Sequence, residues 1–195
     1  MNNNYKRINI STQKLVLSAM LGAIVAVLAY FGGFIKIGGL ASISLTLIPV
    51  VLGAALCGPI VGAILGGISG VVFFMTADAV FWFGLSIPGT IITVMLKAIL
   101  AGLAAGVVYQ LLEKKNRYLA VLASAVVCPV VNTTVFLLGC VVFFMDTVKS
   151  WAIAEGQGVF VYLLVAFVGL NFVFELIANV VFSPAIVKLI DLRKK

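Results

Sequence analysis

The stretch PGTIITVMLKAILAGLAAGVVYQLL, residues 88–112, holds a single charged side chain, Lys97. A bilayer core about 30 Å thick takes roughly 20 apolar helical residues to cross, so this run reads as a membrane span. Pro88 opens it, and proline suits the first turn of a helix because the N–H it lacks has no partner there anyway. The charged island Glu113-Lys114-Lys115-Asn116-Arg117 closes it. The rest of the chain has the same character: 64% of its 195 residues are hydrophobic and 10% charged, where an ordinary soluble domain carries about 25% charge. The sequence therefore predicts an all-α integral membrane protein.

Working outward, polar islands and turn dipeptides divide residues 1–195 into one membrane domain of six runs: 15–31, 40–57, 60–75, 88–112, 118–145 and 158–187. The first run is long for a signal peptide and lacks a clear A-x-A cleavage site, so it reads as an uncleaved span. Gly58-Pro59 is a strong turn signal that makes a tight hairpin of spans two and three. An aromatic segment, Thr76 to Ile87, precedes span four, and a polar stretch, Asp146 to Gly158, precedes span six. Pro184 is expected to stop or kink the last helix.

The net charge of +7 is laid out by topology. Placing the N-terminus in the cytoplasm puts Lys6, Arg7, Lys14, Lys114, Lys115, Arg117, Lys188, Arg193, Lys194 and Lys195 inside and leaves only Lys36 and Lys149 outside. This positive-inside pattern predicts two cytoplasmic termini and speaks against nucleic-acid binding. Trp82, Trp151, Phe34, Phe81, Phe83 and Phe160 gather at the outer ends, where an interfacial aromatic belt is expected.

Several chemistries are excluded or left without support. The chain has no histidine, which removes His-based triads, HExxH zinc sites and imidazole relays. Cys57, Cys128 and Cys140 stand far apart in apolar runs and read as small buried hydrophobes, not ligands of a metal. There is no G-x-x-x-x-G-K-[ST] phosphate loop, so any ATP hydrolysis must come from elsewhere. No cofactor is expected.

The polar residues inside the spans are the functional candidates. Thr90, Thr93 and Lys97, at i, i+3 and i+7, share one face of span four. A buried ammonium costs about 3 kcal/mol or more on insertion scales, which makes Lys97 a functional candidate by default. Its structural alternative is snorkelling, or pairing with Glu175. In span five, Asn132, Thr133 and Thr134 follow Pro129, which frees a carbonyl one turn back; these side chains either meet a ligand or satisfy the broken backbone. Span six carries Asn171, Glu175 and Asn179 at i, i+4 and i+8, with Asn171 nearest the level of Lys97. Gly62, Gly66 and Gly70 on span three, and Ala98, Gly102 and Gly106 on span four, suit close helix packing.

The A-x-x-x-A pair Ala19 and Ala23 and the run Leu47-Ile48-Pro49-Val50-Val51-Leu52-Gly53-Ala54, leading to Gly58-Pro59 and Gly62 within a six-span chain, together resemble the substrate-binding S components of energy-coupling factor (ECF) vitamin transporters. The resemblance implies a prokaryotic plasma-membrane subunit that binds a vitamin and works with a transmembrane scaffold and two ATP-binding cassette ATPases. It implies that Ala19 and Ala23 dock on the scaffold and that the glycine-rich loop Gly32 to Ser44 is a gate. The Leu47-Ile48-Pro49-Val50 and Pro129-Val130-Val131-Asn132-Thr133 segments look most like pantothenate-type members.

An anionic vitamin needs a buried cation and neutral hydrogen-bonding partners. Lys97 is the expected carboxylate partner, Asn132, Asn171 and Thr93 the hydrogen-bonding groups, and Trp82 an apolar lid, in a pocket between spans four, five and six. Biotin fits the same argument; riboflavin fits a buried lysine less naturally. The rival readings are a self-sufficient secondary transporter built on Lys97 and Glu175, a membrane-embedded enzyme using Asp78 or Glu175, and a structural subunit without a ligand.

Overall fold

The computed structural model describes residues 12–32 and 45–194, and among these every regular element is helical. In chain order they are α1 (Thr12–Gly32), α2 (Leu47–Cys57), α3 (Pro59–Phe73), α4 (Ala77–Leu85), α5 (Ile87–Leu112), α6 (Arg117–Phe143), α7 (Met145–Ala154), α8 (Val159–Tyr162) and α9 (Gly169–Lys194). A π-helical turn, Leu163–Val168, joins α8 to α9.

Local sequence explains most boundaries. Gly58, at φ +105°, is the whole connection between α2 and α3; a side chain rarely tolerates that backbone, and Pro59 then starts α3. Ser86 caps α5 by accepting from the Gly89 N–H at 3.2 Å, and Asn116 caps α6 by accepting from the Leu119 N–H at 3.2 Å, as short polar side chains do at helix starts.

Among the described residues, four helices are long and apolar enough to cross a membrane: α1, α5, α6 and the Phe172–Asp191 part of α9. The count becomes five if α3 and α4, which meet at 82°, form one broken span. Six runs were expected. The described part of the second is the short helix α2, while residues 40–44 lie outside the described residues. The aromatic segment before span four is the helix α4, and the sixth run is divided by the π turn, where a single helix was expected.

Pro184 neither stops α9 nor leaves a carbonyl orphaned. The helix continues to Lys194 because the Ser183 hydroxyl donates to the Val180 carbonyl at 2.7 Å, the acceptor that the missing N–H of residue 184 would have served.

Helix α5 is the centre of the bundle, packed along α3 on one side and α6 on the other. The α3 seam is made of small residues. A Cβ added at Gly62 would collide with the Gly102 carbonyl oxygen, one at Gly102 with the Gly62 carbonyl oxygen, and one at Gly66 with the Ala98 carbonyl oxygen. The two backbones touch, the arrangement that small residues permit between membrane helices. On the α6 side the buried Ser124 hydroxyl lies 2.9 Å from the Ala105 carbonyl of α5 and 2.8 Å from its own Ala120 carbonyl.

Two apolar cores result. One joins α1, α2, α3, α5, α6 and α9 around Val25, Val51, Leu65, Tyr109, Val121 and Ile190; the other joins α4, α6, α7 and α8 around Trp82, Cys140, Phe144, Val148 and Tyr162. Ile64, Val71, Leu96, Val142 and Val181 are exposed outside these cores, on a surface suited to lipid. Arg117, at the start of α6, pairs with Asp191 near the end of α9. The three cysteines are free thiols.

Candidate functional site

A cavity with about 640 Å³ of empty space, counting the part open to the outside, lies among α1, α2, α3, α5 and α6. Its polar lining comes from Thr46 at the start of α2, Ser69 on α3, Thr76 and Asp78 at the α3–α4 bend, Lys97 on α5 and Asn132 on α6. The remainder is largely apolar or glycine, including Leu28, Val50, Gly70, Phe73 and Val94.

Lys97 lines this cavity with Val94 and Ala98 of α5, and the Ala98 carbonyl is in contact range of Gly66 on α3, so this part of α5 faces α3. Its ammonium lies over two rings, 4.8 Å from the centre of Phe136 and 5.9 Å from the centre of Phe73. Aromatic faces attract a cation through their quadrupole, more strongly where water is excluded. Glu175, buried on α9, also acts on Lys97 through its charge.

The structure brings Lys97 and Asn132 together on one cavity. It places Thr93 elsewhere: its hydroxyl is buried without a hydrogen-bond partner, tight against Gly139 on α6, where a Cβ would collide with it. Trp82 is in the core formed by α4, α6, α7 and α8 and does not line the cavity. Its ring meets Phe136 edge-on at 5.5 Å and Phe144 at 5.3 Å, and its carbonyl accepts from the Thr90 hydroxyl at 2.9 Å. The side chain of Asn171 and the loop 33–44 lie outside the described residues. Asn179 donates to the Glu175 carbonyl at 2.9 Å, deeper on α9. Ala19 and Ala23 are both exposed on α1, whereas Gly22 between them is buried against Leu65 and Ile68 of α3.

The cavity also differs from the expected pocket in its walls. Spans four, five and six were expected to form it, but α1, α2 and α3 supply most of the lining, and α6 contributes Asn132 alone. The reason is the side of α5 on which Lys97 sits. Ser69, Phe73 and Thr76 escaped notice although they stand at i, i+4 and i+7, a one-face spacing akin to the i, i+3 and i+7 that singled out Lys97. Phe136 carried no comparable signal, because its relation to Lys97 crosses between helices.

The sequence matches the ECF transporter, substrate-specific component family over residues 13–189, from α1 through most of α9. The chain belongs to this family. It is a multi-pass membrane subunit of the vitamin-binding type, and S components are transporter subunits, not enzymes. No curated protein and no solved structure matches it.

Proposed function

We propose that this S component binds a carboxylate vitamin, pantothenate first, with the Lys97 ammonium as the counter-ion of the carboxylate and Asn132 as a hydrogen-bonding partner. The observation that carries this reading is a lysine ammonium that lines a cavity inside the helix bundle beside the Asn132 amide. A charge so placed inside a membrane protein is costly without a function, and a carboxylate is the group it binds best. Thr93 and Trp82 enter as supports: Thr93 stands one turn before Lys97 on α5, and Trp82 packs on the ring that faces its ammonium. Asn171 is proposed as a further hydrogen-bonding group.

The wider assembly is part of the proposal. Six spans with both termini cytoplasmic follow from the distribution of Lys and Arg. The exposed small pair Ala19 and Ala23 supports docking of α1 on a transmembrane scaffold, with two ATPases supplying the energy, since the chain has no phosphate loop of its own.

The test is a titration of the purified, detergent-solubilised protein with pantothenate, biotin, riboflavin, thiamine and folate, followed by calorimetry and by the fluorescence of its 2 tryptophans. Saturable one-to-one binding of pantothenate is expected. Preference for riboflavin or thiamine would overturn the carboxylate reading.

A further inference from the structure

The described membrane-spanning helices hold two charged side chains away from their ends, Lys97 on α5 and Glu175 on α9. Glu175 heads a buried stripe of α9 that continues through Asn179, Ser183, Ile186 and Ile190, each at most 6% exposed. This face of the helix is turned into the bundle, where α9 packs along α6 and α2. The Glu175 carboxylate acts through its charge on Lys97 and on Cys128 of α6. Cys128 stands one turn before Asn132, whose amide lines the cavity beside Lys97. Glu175 therefore lies behind the binding level, within electrical reach of its cation.

A carboxylate and an ammonium buried in one bundle stabilise each other's charge, and either becomes costly when the other is drawn away. A ligand carboxylate on Lys97 makes that demand, because one ammonium then faces two anions in a place where unbalanced charge is expensive. Asp78 adds a third carboxylate at the cavity, in the first turn of α4, a position that suits an acidic residue. Among the described lining residues no second cation offsets it. The balance is restored if the acid in mid-span takes a proton from water as the ligand arrives. The titratable groups that face Glu175 are Lys97 and Cys128. Cys57, the titratable residue of α2, lies with Ile190 at the far end of the stripe, and the π turn has none.

We infer that Glu175 is the charge partner of Lys97 in the empty site and takes up one proton when a ligand carboxylate binds that ammonium. Protein, anion and proton combine into a complex in which Glu175 is a neutral acid and the ligand keeps its charge. This rests on the carboxylate reading of Lys97 and adds a proton to it. Because the complex holds one more proton than the separate partners, affinity falls as pH rises, by about tenfold per pH unit where Glu175 is ionised in the free protein.

The experiment is calorimetric titration of the purified protein with pantothenate in buffers of different ionisation enthalpy, which counts the protons bound, repeated from about pH 6 to about pH 8, where the ligand carboxylate stays ionised. Uptake of about one proton per pantothenate is expected, and none with panthenol, which has an alcohol in place of the carboxylate. Glu175→Gln is expected to bind pantothenate without proton uptake and without pH dependence, while Asp78→Asn is expected to keep the uptake; should Glu175→Gln fail to fold, the parent and Asp78→Asn carry the test. Heats that do not vary with buffer while pantothenate binds overturn this inference and leave the Lys97 reading intact. So do equal uptake with panthenol, uptake that persists in Glu175→Gln, and uptake that vanishes in Asp78→Asn. Failure of pantothenate to bind overturns both.

Discussion

The ammonium of Lys97 lies 4.8 Å from the centre of the Phe136 ring, and the far edge of that relationship is Trp82, whose indole meets the same ring at 5.5 Å. A ring face attracts an ammonium without neutralising it. Lys97 is thereby held at the cavity wall with its charge still available to a ligand. Phe136 also joins the Lys97 ammonium to the core around Trp82, so a change at Lys97 is expected to reach the fluorescence of Trp82.

Replacing Phe136 with Leu should weaken binding of a carboxylate ligand by about fivefold, because the Lys97 ammonium is no longer held in place at the cavity wall by the ring. Phe136→Tyr keeps the ring and should retain most of the affinity. Calorimetric titration of both variants with pantothenate decides the matter; equal loss in the two would assign Phe136 to packing alone.

The α3–α5 seam should tolerate no side chain. Gly66→Val or Gly102→Val forces apart backbones that are in contact, and overpacking of this kind costs about 1–3 kcal/mol. Thermal unfolding in detergent, followed by tryptophan fluorescence, should show a clearly lowered midpoint. Gly84→Ala is the control, because nothing lies within 4 Å of its added Cβ.

Ser183 and Pro184 form a compensating pair. Ser183→Ala leaves the Val180 carbonyl without its hydroxyl donor, at a cost of about 1–2 kcal/mol. Pro184→Ala restores a backbone N–H to that carbonyl, so the double variant should recover much of the loss. A double-mutant cycle on unfolding midpoints measures this, and strict additivity would contradict it.

On the outward face of α1, Ala23→Trp should leave vitamin binding within about twofold of the parent, as exposed substitutions generally do, while blocking uptake in cells that also carry scaffold and ATPases. Parallel binding and uptake assays separate the two effects. Loss of binding would place Ala23 in the fold and not at a docking surface.

Much of the architecture could be read from the sequence because the signals were local. Gly58-Pro59 ends α2 and begins α3, Pro88 sits in the first turn of α5, and the charged island that begins at Glu113 breaks α5 from α6, all as single-residue chemistry dictates. The glycine spacing on α3 and the Ala98-Gly102-Gly106 spacing on α5 pointed to close packing, and they pack against each other. Pro184 does not stop α9, because the neighbouring Ser183 hydroxyl, in the rotamer it adopts, serves the carbonyl that the proline leaves without its N–H.

The candidate site was less legible. Lys97 and Asn132 stood out as polar residues in apolar runs, and both line the cavity. Which side of α5 faces the cavity depends on the α3 contact, and no periodicity within α5 reveals its neighbour. For that reason Ser69, Thr76 and the rings of Phe73 and Phe136 emerge only in three dimensions.

The most direct measurement is the affinity of pantothenate and of panthenol for the parent protein and for Lys97→Ala, with gel filtration to establish that the variant is folded. The parent should prefer pantothenate by about tenfold or more, the scale of a charge-assisted hydrogen bond in a dry site, and Lys97→Ala should lose that preference while binding panthenol about as the parent does. A Lys97→Ala protein that binds pantothenate as tightly as the parent would contradict the assignment of Lys97 as the carboxylate partner.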